Sequence, residues 1–264
     1  MEGQVMLDFA ELKAAFDALE LQVHPVIAHA SLKPFGYIPN GADTVVRAML
    51  VSFKSVVMPA FTYRTMITPE VGPPNNGITY GAKKDLNKMA QPFTPDMPAD
   101  KMMGMVPEAL RNQPSAMRTP HPILSFAGIR AEKYLATQTL YEPFAPIGGL
   151  GEDDGWVVLV NVGHDVNTSI HYGEKLAGRK QFLRWAIVGD RVIECPNFPG
   201  DSSGFTAIDE YIQPDTRRVE IDSGFIQAVP LKRLFDAVGE MIKKNPFALL
   251  CQRTDCERCN AVRG

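Results

Sequence analysis

The sequence predicts an α/β protein in which a mixed central β-sheet is flanked by helices, and three observations carry that expectation. Strand-like runs alternate with amphipathic helical segments through the first half of the chain, the pattern that builds layered α/β sheets. Trp156-Val-Val-Leu-Val160 is an unbroken apolar run rich in β-branched residues, which suits a strand buried on both faces. The later strand-like segments follow one another closely, so the sheet is expected to be mixed rather than purely parallel. At 264 residues the chain can bury a sizeable core and sits near the upper size of one domain. Residues 1–264 are therefore expected to form a single domain, with a proline-rich loop at 62–98 and a cysteine-containing tail at 245–264.

A formal charge of -3 with both signs interspersed argues against a nucleic-acid or anionic-membrane surface. No stretch approaches the ~18 apolar residues of a membrane span. The N-terminus carries Glu2 and Asp8 and lacks the basic region of a signal peptide. The expectation is a soluble, cytoplasmic protein. A homodimer is compatible with the sequence, which leaves the oligomeric state open.

Asp8 and Glu11 form a capping-box start to a helix whose Leu12, Ala15, Phe16 and Leu19 repeat at helical spacing. Val23 to Ala28 reads as a strand, with Pro25 at its beginning. His29 to Val45 is a loop with Gly36 and Gly41 that runs into a helix from Asp43 to about Phe53, and a glycine loop entering a helix presents free N–H groups to an anion. Ser55 to Phe61 is a further strand. Thr62 to Pro98 is rich in proline and poor in periodicity, as functional loops and lids are. Asp100 to Asn112 returns to helix despite Pro107, Ser125 is a candidate helix cap, and Gly148 to Gly155 reads as a turn feeding the central strand. Beyond the centre, Gln181–Val188 and Arg191–Glu194 flank the hairpin signal Gly189-Asp190. Arg217 to Val229 alternates like strand around Gly224, and Pro230 to Lys244 is a helix with Pro at its first position.

The stretch after the central strand carries the chemistry. Asn161 to Ser169 is polar, and Asn167 or Thr168 is placed to cap a short helix ending at Gly178. On that helix His171 and Glu174 are three apart and share a face. The helix dipole disfavours an imidazolium near the N-terminus, while Glu174 fixes the ring in one tautomer, which together make a general base. His29, His121 and His164 are further candidate bases or ligands, but no helical pattern unites them. Gly200-Asp-Ser202-Ser-Gly204 matches the G-x-S-x-G elbow of serine hydrolases in letters only, because Pro196 and Pro199 precede it where a buried strand is required. Ser202 or Ser203 reads better as the cap of a helix starting near Phe205. Cys251, Cys256 and Cys259 are spaced C-x4-C-x2-C, which together with Cys195 gives a candidate four-thiolate structural zinc site.

In order and spacing, several segments resemble the aminoglycoside 3-N-acetyltransferase family, antibiotic acetyltransferases unrelated in fold to the GNAT superfamily. They are His29-Ala-Ser-Leu with Gly36 and Gly41-Ala42, Val57-Met-Pro59, Gly104 to Leu110, Arg118 to Ala127, Asp154 to Gly163, and Asn167-Thr-Ser-Ile-His171. The resemblance implies transfer of acetyl from acetyl-CoA to an amino group, the 3-amino group of an aminoglycoside, within a ternary complex. By the same resemblance His171 is the catalytic base and Glu174 orients it; the Thr168 hydroxyl, at the helix start, is placed to stabilise a developing oxyanion. Ser31, Leu32, Lys33, Gly36, Gly41, Ala42, Thr44, Val45, Arg118 and Thr168 fall in the region expected to hold coenzyme A, and Tyr63, Asp165, Asn167 and Glu174 in the region expected to hold the amine. Where the family usually has Ser, this chain has Ala30. The 62–98 loop and the cysteine tail are also its own, which leaves an amine other than an aminoglycoside, or a zinc-stabilised binding module without turnover, as alternatives.

Overall fold

The computed structural model describes residues 7–82, 84–221 and 224–264; the reading of Glu2 lies outside them. The chain begins with helix α1 (Phe9–Asp17), strand β1 (Pro25–Ala30), α2 (Ala42–Ser52) and β2 (Ser55–Pro59). It continues through β3 (Met66–Ile67), α3 (Lys84–Lys88), α4 (Met105–Arg111), β4 (Met117–Arg118), β5 (Phe126–Ile129), α5 (Glu132–Leu135) and α6 (Ala145–Glu152). Strand β6 (Trp156–Val160) leads into α7 (Ser169–Leu176), the hairpin β7 (Phe182–Val188) and β8 (Arg191–Phe198), and α8 (Asp209–Ile212). The chain closes with β9 (Arg217–Ile221), β10 (Gly224–Pro230), α9 (Leu231–Lys244) and α10 (Glu257–Arg263).

The main sheet has the order β4-β5-β2-β1-β6-β10-β9. β1 pairs parallel with β2 and β6, setting Ile27 opposite both Val57 and Val157. Towards both edges the pairings are antiparallel, so the sheet is mixed, as the closely spaced later strands predict. Every residue of β6 is buried. Its alternate side chains serve different layers: Val157 and Leu159 join the core that holds Ile147, Ile170 and Leu234, while Trp156, Val158 and Val160 join the one that holds Phe16, Val45 and Val106. That period of two is why an uninterrupted apolar run was needed here.

Local signals set several elements. Asp8 accepts from Ala10 and Glu11 N–H while Glu11 returns a bond to Asp8 N–H, the full capping box of α1. Gly189 takes a positive φ of 60° between β7 and β8, and Gly178 does so after α7 (φ 77°), both in the left-handed region where a Cβ is costly.

Other elements depart from expectation for tertiary reasons. The Gly148–Gly155 turn is mostly helix: α6 runs to Glu152. Its glycines serve close packing, since a Cβ at Gly148 would lie 2.3 Å from Tyr172 Oη and one at Gly151 2.8 Å from the Phe235 ring. Ser125 does not cap a helix; it precedes β5, and its hydroxyl donates to Ala60 O. β8 extends through Pro196, which is tolerated because β8 is the edge of a second sheet of order β3-β7-β8. The 62–98 segment supplies that sheet with β3 and adds a bridge from Phe93 to Val188. Pro230 ends β10 and stands just before α9 rather than within its first turn. Neither Ser202 nor Ser203 caps the turn that begins at Phe205, where Gly204 precedes it. None of the described helices is long and apolar enough to cross a membrane.

Candidate active site

The carboxyl ends of β1, β2 and β6 open on one cleft of about 1450 Å³, whose lining includes Ala28 to Ala30, Pro59 and Val162. A crevice outside the carboxyl ends of parallel strands is where open α/β sheets hold ligands. Its walls come from Tyr63–Arg64, Lys101–Met105, Asp165–Thr168, Phe198–Ser202, Arg253 and Asp255–Arg258.

His171 reaches this cleft from the first turn of α7. The helix start is fixed by Asn167, whose Oδ1 accepts from Ser169 N–H at 3.0 Å. The Asn167 Nδ2 donates to His164 Nδ1 at 3.0 Å, which leaves the His164 proton on Nε2, 3.6 Å from Asp209. With both ends of its amide engaged and no exposure, Asn167 positions the loop. Thr168 holds the cap position without making a side-chain cap bond.

His171 is held from behind. His171 Nδ1 lies 2.9 Å from Glu174 Oε2, and the second Glu174 oxygen stands 3.3 Å from Arg179 Nε. The Arg179 guanidinium also donates to Ala248 O at 2.5 Å and to Pro246 O. Glu174 is 2% exposed, and a carboxylate so buried needs a cation and hydrogen bonds to remain charged. Phe144 stacks on the imidazole at 6.0 Å and Phe205 meets it edge-on at 4.7 Å. With Nδ1 committed to Glu174, Nε2 is the ring nitrogen without a protein partner among the described residues.

His29 is a second histidine of the cleft, brought there because β1 runs to Ala30, two residues past the expected strand end. Its Nε2 accepts from Thr168 N–H at 3.4 Å. Burial, aided by the nearby His164, pulls its pKa down to about 3, so it is neutral with its proton on Nδ1. The only sequence signal for it was the His29-Ala-Ser-Leu segment itself.

Of the sequence-predicted residues, Ser31, Leu32, Lys33, Tyr63, Asp165, Asn167, Thr168 and His171 line the cleft. Glu174 lies behind His171. Gly36, Gly41, Ala42, Thr44 and Val45 stand outside the lining, because a turn at Lys33–Phe35 carries the chain away to α2. Val45 is fully buried in the core and Thr44 Oγ1 donates to Pro39 O. Arg118 is also absent from the lining. Its guanidinium donates to Ala60 O at 2.8 Å, Pro95 O at 3.3 Å, Met97 O and Ser125 Oγ, and lies over the Phe93 ring. Burial, with Arg111 nearby, draws its pKa down to about 10. Arg118 thus staples the proline-rich loop to the sheet.

The cysteine set changes by one member. Ligand atoms of Cys251, Cys256, Cys259 and Asp201 lie within 4.8 Å of one another. Cys195 does not join them: it points into the main core from β8, and burial pushes its thiol up to about 12. The Ser202 hydroxyl lines the cleft but has no histidine partner among the described residues, so the elbow motif does not build a triad.

Residues 27–243 match the model of the aminoglycoside 3-N-acetyltransferase family (Antibiotic_NAT). The chain belongs to this family. Among curated relatives of the family, aminoglycoside N(3)-acetyltransferase IV of Salmonella sp. is 33% identical over 151 residues, 56% of this chain and 49% of that protein. The chain thus matches about half the length of that relative. Solved structures extend the likeness in fold. A variant of aminoglycoside acetyltransferase AAC(3)-IVa in complex with a gentamicin superposes with TM-score 0.80 at 20% identity, covering 100% of this chain and 99% of that one. The binary complex of AAC-IIIb with CoASH gives 0.73 at 21% identity, covering 91% and 97%. For this member of the aminoglycoside 3-N-acetyltransferase family the shared fold therefore reaches well beyond the span of close sequence similarity.

Proposed function

We propose that this chain transfers an acetyl group from acetyl-CoA to an amino group of an aminoglycoside, at the 3-amino position by resemblance, with His171 as general base. The observation that carries the reading is the His171–Glu174–Arg179 arrangement at the cleft, in a chain of this family. An aminoglycoside amine is mostly protonated at neutral pH, so attack on an acyl carbon needs a group that takes its proton. His171 Nε2 is that group, since Glu174 holds Nδ1 and with it the tautomer. Both substrates occupying one cleft supply proximity without a covalent enzyme intermediate.

The donor set fits coenzyme A. Lys33 and Lys101 bring cations suited to a diphosphate, Ser31 brings a hydroxyl, and Leu32, Met103 and Met105 bring apolar surface for a pantetheine arm. Acetyl-CoA, when bound, supplies the activated acyl group. The Thr168 hydroxyl, without a protein hydrogen bond among the described residues, is the donor available to an acyl oxygen on which negative charge develops. On the acceptor side Asp165, Asp255 and Glu257 line the cleft, and carboxylates are what a polycation requires. Tyr63 adds an aromatic wall.

The test follows free thiol released from acetyl-CoA with gentamicin, sisomicin or apramycin as acceptor, against a non-antibiotic polyamine. Turnover with several aminoglycosides and little with the polyamine supports the reading; turnover with the polyamine alone keeps the chemistry and discards the acceptor.

A further inference from the structure

The acetyl-transfer reading leaves unused the cysteine cluster of residues 251–259. The sulfurs of Cys251, Cys256 and Cys259 and a carboxylate oxygen of Asp201 come within 4.8 Å of one another, and all four residues are buried. Three thiols packed together could be a small apolar core, since free cysteine behaves as a hydrophobe. A carboxylate at the same point is not apolar packing. Buried acidic groups are retained when paired or metal-bound.

We infer that Asp201, Cys251, Cys256 and Cys259 bind one zinc ion in a closed tetrahedral site that fastens the tail to the wall of the cleft. Three observations point the same way. First, the ligand number and types suit Zn²⁺, which takes thiolates and carboxylates in four-coordinate structural sites. Cys256 precedes α10 and Cys259 lies in its first turn, so one helix start presents two sulfurs, and Cys251 returns from the preceding loop.

Second, the charges balance. Three thiolates and one carboxylate carry four negative charges against two on the ion. The remaining two are met by Arg253 and Arg258, whose guanidinium groups lie 3.3 and 3.1 Å from Asp201 Oδ2. Ser203 N–H donates to the other Asp201 oxygen at 3.0 Å, so the carboxylate is oriented by outer partners as metal ligands usually are.

Third, the backbone is shaped to bring distant segments together. A Cβ at Gly204 would lie 2.5 Å from Leu249 O and 2.6 Å from Leu250 O, so only glycine permits this approach beside Asp201 and Cys251. Arg258 Nη1 also donates to Gly200 O at 2.9 Å. The Gly200-Asp-Ser-Ser-Gly204 segment that mimics a hydrolase elbow is thereby accounted for as one half of the site. Because Asp201 and Cys256 also line the cleft, the ion would hold the 198–204 and 253–258 walls as one piece. The site stands independently of which reaction the cleft performs.

The experiment uses the full chain purified without chelator. Metal analysis is expected to give about one zinc per chain, and X-ray absorption about three sulfurs at ~2.3 Å and one oxygen at ~2.0 Å. Cys259→Ser is expected to lose the metal and Asp201→Asn to weaken binding by at least ~10-fold, while Cys195→Ser keeps a full complement. Wild-type absorption data read the ligand set even where a variant fails to fold. A metal-free protein that takes up no added zinc, a Cys256–Cys259 disulfide by mass spectrometry, or a ligand shell without three sulfurs would each overturn the inference.

Discussion

Glu174 Oε2 sits 2.9 Å from His171 Nδ1 in a pocket where both residues are buried. That contact engages Nδ1 and leaves Nε2 as the ring nitrogen without a protein partner among the described residues. His171→Ala is expected to lower kcat for acetyl transfer at least ~100-fold, the usual contribution of a general base. Glu174→Gln keeps the shape, but its amide can donate to Nδ1 and move the ring proton to Nε2, so it is expected to lower kcat by about 100-fold or more with little change in KM. Steady-state release of free thiol measures both. A His171→Ala enzyme of wild-type rate would remove the base assignment.

Arg179 is the support of that carboxylate and does not touch the cleft. Arg179→Met leaves Glu174 buried with one partner fewer and strips two backbone carbonyls, Pro246 and Ala248, of their donor. Breaking a buried pair from one side costs about 3–5 kcal/mol. Chemical denaturation is expected to show a loss in that range, and a variant as stable as wild type would mean that water replaces the guanidinium without penalty.

Acid is expected to destabilise the fold well before its carboxylates titrate. Burial lowers His29 to about 3 and His121 to about 4, whereas both titrate at about 6.5 in an unfolded chain. Between those values the unfolded state binds more protons than the folded one, so stability rises with pH through this window and is lost as pH falls. From pH 7 to pH 5 each histidine contributes a loss of about 2 kcal/mol. Urea titrations at the two pH values measure the difference, and His29→Gln is expected to remove about 2 kcal/mol of it. An unfolding free energy that is flat over this range would contradict the buried, neutral assignment.

Arg118 separates two roles by one substitution. If its work is to hold the loop, Arg118→Met takes the guanidinium donor from Pro95 O and Met97 O, costs about 2 kcal/mol or more, and speeds proteolytic cutting between residues 62 and 98. KM for acetyl-CoA is then expected to stay within about two-fold of wild type. A large rise in that KM with an unchanged cutting pattern would restore Arg118 to the cofactor.

What the sequence by itself determined are the features whose partners lie within one turn or one strand. The capping box at Asp8 and Glu11, the hairpin at Gly189, the doubly buried β6 and the pairing of His171 with Glu174 follow from spacings of two to four residues, and such spacings are converted directly into contacts by helix and strand geometry. Tertiary structure decided everything that joins distant segments. Arg179 finds the carbonyls of 246 and 248, Arg118 is turned from the cleft to the 95–97 loop, and Asp201 replaces Cys195 beside cysteines fifty and more positions along the chain. Glycine misled for the same reason. In α6 it marks not a turn but the place where Tyr172 and Phe235 press against the helix, and a residue that both loosens a backbone and admits a neighbour cannot declare which from its own position.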